Sequence, residues 1–267
     1  MREPKTYPDD WSAVACYGAV LTLLSVVFGA QFVANDLPVM RDRPLLLGVV
    51  IVSLGLSLVG WLGIAVFGRR IVEGIGTEGL VTIGLVAGLH FVVTYTSMIV
   101  GVALRTLLGP MAIFITGIAD EGIPCLLLAI LLTLYPRPGT LMLTNMASFV
   151  LNCVFGGFFG LMTVLYVTVS IVLGEGALAL MRVTTGPSLR ETRRAPPWTT
   201  VTRVALGVGL ANALPFPAQY GFSMALYRMH YGTWFIVAVT LFPGLIYGML
   251  GAAVGTSLGY KLRRTAR

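Results

Sequence analysis

Two adjacent carboxylates, Asp120 and Glu121, lie near the centre of an apolar run from about Gly109 to Tyr135, within the stretch Gly117-Ile118-Ala119-Asp120-Glu121-Gly122-Ile123-Pro124. A run of that length crosses a bilayer, so both acids should sit close to the midplane. At a helix centre an acidic side chain costs about 2.5–3.5 kcal/mol on insertion scales, so the pair must face a wet cavity, find partners or stay protonated. The backbone is unusual at the same place. Pro124 has no N–H to give the carbonyl of Asp120, and Gly122 loosens the turn between them, so a free acceptor is expected beside the acids. Many membrane transporters build a binding site from an interrupted helix with ionisable groups at mid-depth. The competing reading is a structural kink, with one acid hydrogen-bonded to a neighbouring helix. Adjacent helical positions stand about 100° apart, so only one of the two acids is expected to face a given cavity.

Other apolar runs carry further polar groups. His90, Asn152 and Asn212 fall near mid-depth, Tyr95, Gln219 and Trp234 toward the outside, and Asn145 and Glu175 in the inner half. A cavity open to the outside and floored by the mid-depth group is the simplest arrangement. On that arrangement Asp120, Glu121, His90, Tyr95, Asn152 and Asn212 are the candidate substrate-binding residues. Each has a plainer alternative: His90 as a single satisfied histidine, and Asn145, Asn152 and Asn212 as hydrogen-bond links between helices. Glu175, two turns before Arg182, reads as a structural partner toward the inner interface.

The elements that position these groups are transmembrane helices. Of 267 residues, 57% are hydrophobic and only 11% charged, where a soluble domain carries about 25% charged residues. Apolar runs cover about Trp11–Ala34, Pro44–Phe67, Gly79–Leu104, Gly109–Tyr135, Thr200–Phe222 and Tyr231–Tyr260, and the segment from Arg69 to Glu78 reads as a loop. From Thr140 to Met181 the chain stays apolar for about forty residues, twice the roughly twenty that one crossing takes. A division at Phe155 to Gly160, where Gly156, Gly157 and Gly160 permit a reversal, brings the total to eight spans. Charge supports the count. With both termini cytoplasmic, fourteen of the 18 lysines and arginines fall inside, and only Arg41, Arg43, Arg105 and Arg228 outside. The expected fold is therefore an all-α, multi-pass helical bundle in the inner membrane, a single domain.

The same charges explain the formal net charge of +7 without nucleic acid as a partner. Cys16, Cys125 and Cys153 lie in apolar runs without paired or metal-ligand spacing and read as packing residues. No cleavable signal is expected at the N-terminus. No phosphate-binding G-x-x-x-x-G-K-[ST] stretch and no H-E-x-x-H or G-x-S-x-G pattern occurs. Neither an enzyme, a metal nor a cofactor is expected, and any ATP-derived energy must come from partners. Small residues four apart, Ala15 and Ala19 in the first run and Gly251, Gly255 and Gly259 in the last, form flat faces for close helix contact. Their partner can be another helix of this chain or another subunit.

From Gly109 onward the order of motifs resembles the substrate-binding (S) components of energy-coupling factor transporters, in particular the YkoE-like branch associated with thiamine or its hydroxymethylpyrimidine moiety. The residues that carry the resemblance are Gly109-Pro110 opening a span, Arg137-Pro138-Gly139 closing it, and a following short span ending in glycines. Leu173-Gly174-Glu175-Gly176-Ala177-Leu178 before an arginine and a glycine-rich last helix, Leu245 to Leu262, complete it. The resemblance implies a five-helix S-component-like segment over 109–267, preceded by a three-helix segment over 1–108. Such components usually have six spans, so two N-terminal helices lie outside the pattern. It further implies capture of a small, vitamin-like solute from outside, and delivery by toppling against a membrane coupling subunit driven by two cytoplasmic ATPases. Ala15, Ala19, Gly251, Gly255 and Gly259 are then the candidate coupling contacts. Two rival expectations remain: a stand-alone secondary transporter using Asp120 or Glu121 as proton carrier, and an assembly subunit of a larger membrane complex.

Overall fold

The computed structural model describes residues 44–155, 161–185 and 197–265. Ala15, Ala19, Cys16 and the first apolar run lie outside the described residues, as do Gly156, Gly157 and Gly160. Among the described residues the chain is all-helical, with no strand. Helix α1 spans Pro44–Leu108, and after a short 3-10 turn α2 (Ala112–Gly117) runs through a π segment (Ile118–Gly122) into α3 (Ile123–Leu134). Then come α4 (Thr140–Phe155), α5 (Leu161–Leu180), α6 (Trp198–Ala213) and α7 (Phe216–Tyr227). Helix α8 (Thr233–Val239) passes through a second π segment (Thr240–Tyr247) into α9 (Gly248–Thr265).

Three helical stretches, Leu47–Leu134, Met162–Leu180 and Thr233–Thr265, are long and apolar enough to cross a membrane. The first contains 88 residues, which as one straight helix at 1.5 Å per residue would run to about 130 Å, several times the ~30 Å hydrocarbon core. It folds back instead, at two glycines. Gly76 has φ 79° and ψ 168° and Gly109 has φ 58°, backbone conformations that a side chain strongly disfavours. The segment between Arg70 and Glu78, expected as a loop, is thus helical with one glycine out of helical geometry. After Thr140, α4 and α5 lie side by side, with Leu141 against Gly174, and residues 156–160, where the division was expected, lie outside the described residues. A break at Leu214-Pro215 separates α6 from α7.

Packing assigns each half of α1 its own neighbours. The first half lies on α5, where Ser57 Oγ and Thr168 Oγ1 are 2.6 Å apart and Gly60 lets Thr168 and Val172 approach. The second half lies on α4, through His90 and Ser148, and on α2, through Gly101 and Thr116. A buried cluster including Leu128, Leu132, Leu178, Val204, Val208 and Ala252 joins α3, α5, α6 and α9. The outward surface is apolar: Leu85, Leu89, Val102, Val154 and Leu250 are all exposed, as on a protein solvated by lipid chains.

Packing shows what two of the singled-out features touch. Gly251, Gly255 and Gly259 face α3. A Cβ would meet the carbonyl oxygen of Gly122 at the first, that of Leu126 at the second and Thr133 Oγ1 at the third. The stripe is therefore filled from within the chain, because small residues four apart let two backbones come into contact. Glu175 has the structural role expected of it. Its Oε1 accepts the Met142 N–H at 3.0 Å, at the start of α4, where unpaired N–H groups and the positive end of the helix dipole favour a carboxylate. Glu175→Ala should lower the stability of the protein by about 1–2 kcal/mol. Unfolding in detergent reads this, and an unchanged transition would remove the capping role.

Candidate functional site

A cavity of about 530 Å³ lies among the helices, and all six residues expected to form a site line it: His90, Tyr95, Asp120, Glu121, Asn152 and Asn212. They come from α1, the π segment, α4 and α6, so they meet only through the tertiary fold. The volume is within the range of about 300–1,000 Å³ usual for small-molecule sites.

The first π segment builds the acidic wall. A π turn closes hydrogen bonds five residues apart rather than four, and it occupies Ile118–Gly122, immediately before the proline that removes a donor. Both Asp120 and Glu121 line the cavity and both are half-buried. Both border the cavity, where only one of them was expected to. Asn212 lines the cavity beside Glu121. Asn212 also donates from Nδ2 to the Gly244 carbonyl at 3.0 Å, so it links the acidic wall to the second π segment.

That second π segment was not foreseen. Pro243 lies inside it and lines the cavity. It packs on Gly117, where an added Cβ would sit 3.0 Å from the proline Cβ, and Tyr247 donates its O–H to the Phe114 carbonyl at 3.0 Å. Two irregular helical segments thus brace each other behind the carboxylates. Pro243-Gly244 in the last apolar run was the available signal, since a proline inside a span frees a carbonyl just as Pro124 does.

On the opposite side His90 Nδ1 is 3.0 Å from Ser148 Oγ, the satisfied histidine of the plainer reading, yet the ring also lines the cavity. Asn152 donates to the Ser148 carbonyl at 2.9 Å, which leaves its own carbonyl oxygen as an acceptor. Tyr95 stacks on Phe91 with ring centres 5.7 Å apart. Thr94 Oγ1 is buried without a hydrogen-bond partner among the described residues, and Thr94 too lines the cavity.

Sequence reasoning passed over Arg105, Tyr166 and Tyr220, and placed Asn145 and Gln219 outside the site; all five line the cavity. Arg105 was read only as a charge on the sparsely basic side. Tyr166, with Ser170 one turn further along the same helix, was legible as a polar stripe. The wall therefore offers two carboxylates, one guanidinium, four side-chain amides and several aromatic rings. Such a surface suits a small polar molecule with a flat ring and a positive charge or several donors. Among the described residues no group of three metal-ligating side chains occurs, and Cys125 and Cys153 are free thiols. No family model, no curated protein and no solved structure matches the chain.

Proposed function

We propose that the chain is the membrane-embedded substrate-binding subunit of an ATP-driven importer of the energy-coupling factor type, taking up a small vitamin-like solute across the inner membrane. The observation that carries this reading is the convergence of Asp120, Glu121, Asn152, Asn212, His90 and Tyr95 on one cavity of small-molecule size. The absence of a P-loop fits a subunit whose energy comes from cytoplasmic ATPases through a membrane coupling partner. Both termini are cytoplasmic in this proposal. With α1 counted as two passes, the described helices supply seven spans and residues 11–34 the eighth, which keeps the basic residues mostly on one side. Since the glycine stripe of α9 is covered by α3, Ala15 and Ala19 are the remaining small-residue face for the coupling contact.

Native mass spectrometry of the protein, gently extracted from its own membrane, tests the proposal. A retained metabolite together with co-purifying ATPases is expected. A ligand-free chain bound only to other membrane proteins would replace the proposal with the assembly-subunit reading. A second reading draws on the same cavity, because Asp120, Glu121 and His90 could carry protons there. It predicts uptake by the protein alone in proteoliposomes under a pH gradient, without ATPases.

A further inference from the structure

At the end of the molecule away from Gly109, a second cavity of about 730 Å³ opens between α1, the α3–α4 connection and the last turn of α9. Arg70, Arg137 and Arg263 line it, and among the described residues no acidic side chain does. The nearest carboxylate on α1, that of Glu73, is engaged 3.1 Å from Arg69 Nε. Arg137 is held in place by its backbone. It stands between Pro136 and Pro138, its N–H donates to the Tyr135 carbonyl at 2.8 Å and its carbonyl accepts from Thr140. Gly139, at φ 88°, seats that connection directly on Ile71 of α1. Arginines from three elements therefore converge on one space.

The apolar part of the wall decides what kind of anion fits. Phe67 lines the same cavity and is 52% exposed, at the point where the apolar run of α1 meets its first arginines. A free phosphate would use only the guanidinium groups. A phospholipid uses both features, laying its chains along the exposed face of α1 around Leu62, Val66 and Phe67 and setting its phosphate among the arginines. Guanidinium pairs with phosphate oxygens in two parallel hydrogen bonds. Basic pockets between membrane helices on the more basic face are suited to anionic head groups.

We propose that this cavity is a binding site for the head group of an anionic phospholipid. The site is separate from the central cavity and does not depend on the importer reading. The test uses the full-length protein equilibrated with vesicles of equal parts phosphatidylcholine and phosphatidylglycerol, followed by native mass spectrometry of the lipids retained. The wild-type protein should retain phosphatidylglycerol in preference. Each arginine contributes about fivefold near a charged lipid surface, so R70Q/R137Q should lose about 25-fold of that retention. Should the double variant not fold, R263Q alone should lose about fivefold. Equal retention of both lipids, or a preference untouched by these substitutions, would overturn the proposal. So would complete displacement of phosphatidylglycerol by inorganic phosphate, which would assign the site to a free anion.

Discussion

Glu121→Gln should reduce retention of the central cavity's ligand about tenfold to a hundredfold while the protein still inserts and folds. A hydrogen bond to a charged group contributes about 1.5–3 kcal/mol, and each 1.4 kcal/mol is a factor of ten in affinity. The substitution keeps the size of the side chain and leaves untouched the hydrogen bond from Asn212 to the Gly244 carbonyl. What it removes is the negative charge, in a wall where two carboxylates face a single guanidinium, that of Arg105. Folding should be unaffected, since a buried amide is less costly than a buried carboxylate. Retention of whatever metabolite co-purifies with the wild-type protein, compared by native mass spectrometry, is the measurement. Equal retention in the variant would take Glu121 out of the site.

The acidic wall was legible because its signals are local. A proline four residues after an acid and a glycine between them mark the interrupted turn, and both fall inside one apolar run. The same logic applied to Pro243 would have exposed the second π segment, but no ionisable residue drew attention to it. The helical class and the division of Thr140 to Met181 followed from length and hydrophobicity, which lipid imposes on any spanning segment. Other features depend on what lies across a helix interface. The segment from Arg69 to Glu78 is polar and glycine-containing, yet it is helical except at Gly76. Glu175 was readable as a structural partner, but that it caps the start of α4 follows only from packing. Nor could spacing say that Arg105, Tyr166 and Tyr220 line one cavity with Asp120, because they belong to different helices and share it only after packing.

The glycines of α9 carry the largest expected effect on stability. Gly251, Gly255 and Gly259 track Gly122, Leu126 and Thr133 in the same order, so α9 and α3 run parallel with their backbones in contact. A Cβ at Gly255 would fall on the Leu126 carbonyl oxygen and lie 3.0 Å from the Ala129 Cβ. The obstacle is main chain and cannot rotate away. Overpacking of a core costs about 1–3 kcal/mol when side chains can adjust, so Gly255→Val should exceed that range and abolish monodisperse folded protein in detergent. The helices could relieve the clash only by separating, which would move the π segment and with it Asp120 and Glu121. Gly84→Ala is the matched control. Nothing lies within 4 Å of its added Cβ, and alanine is the better helix former by about 1 kcal/mol, so the protein should be as stable or slightly more so. Size-exclusion profiles and thermal unfolding of the two variants separate internal packing from a partner contact. If the stripe were a coupling surface, Gly255→Val would leave the isolated chain as stable as the wild type and disturb only its assembly.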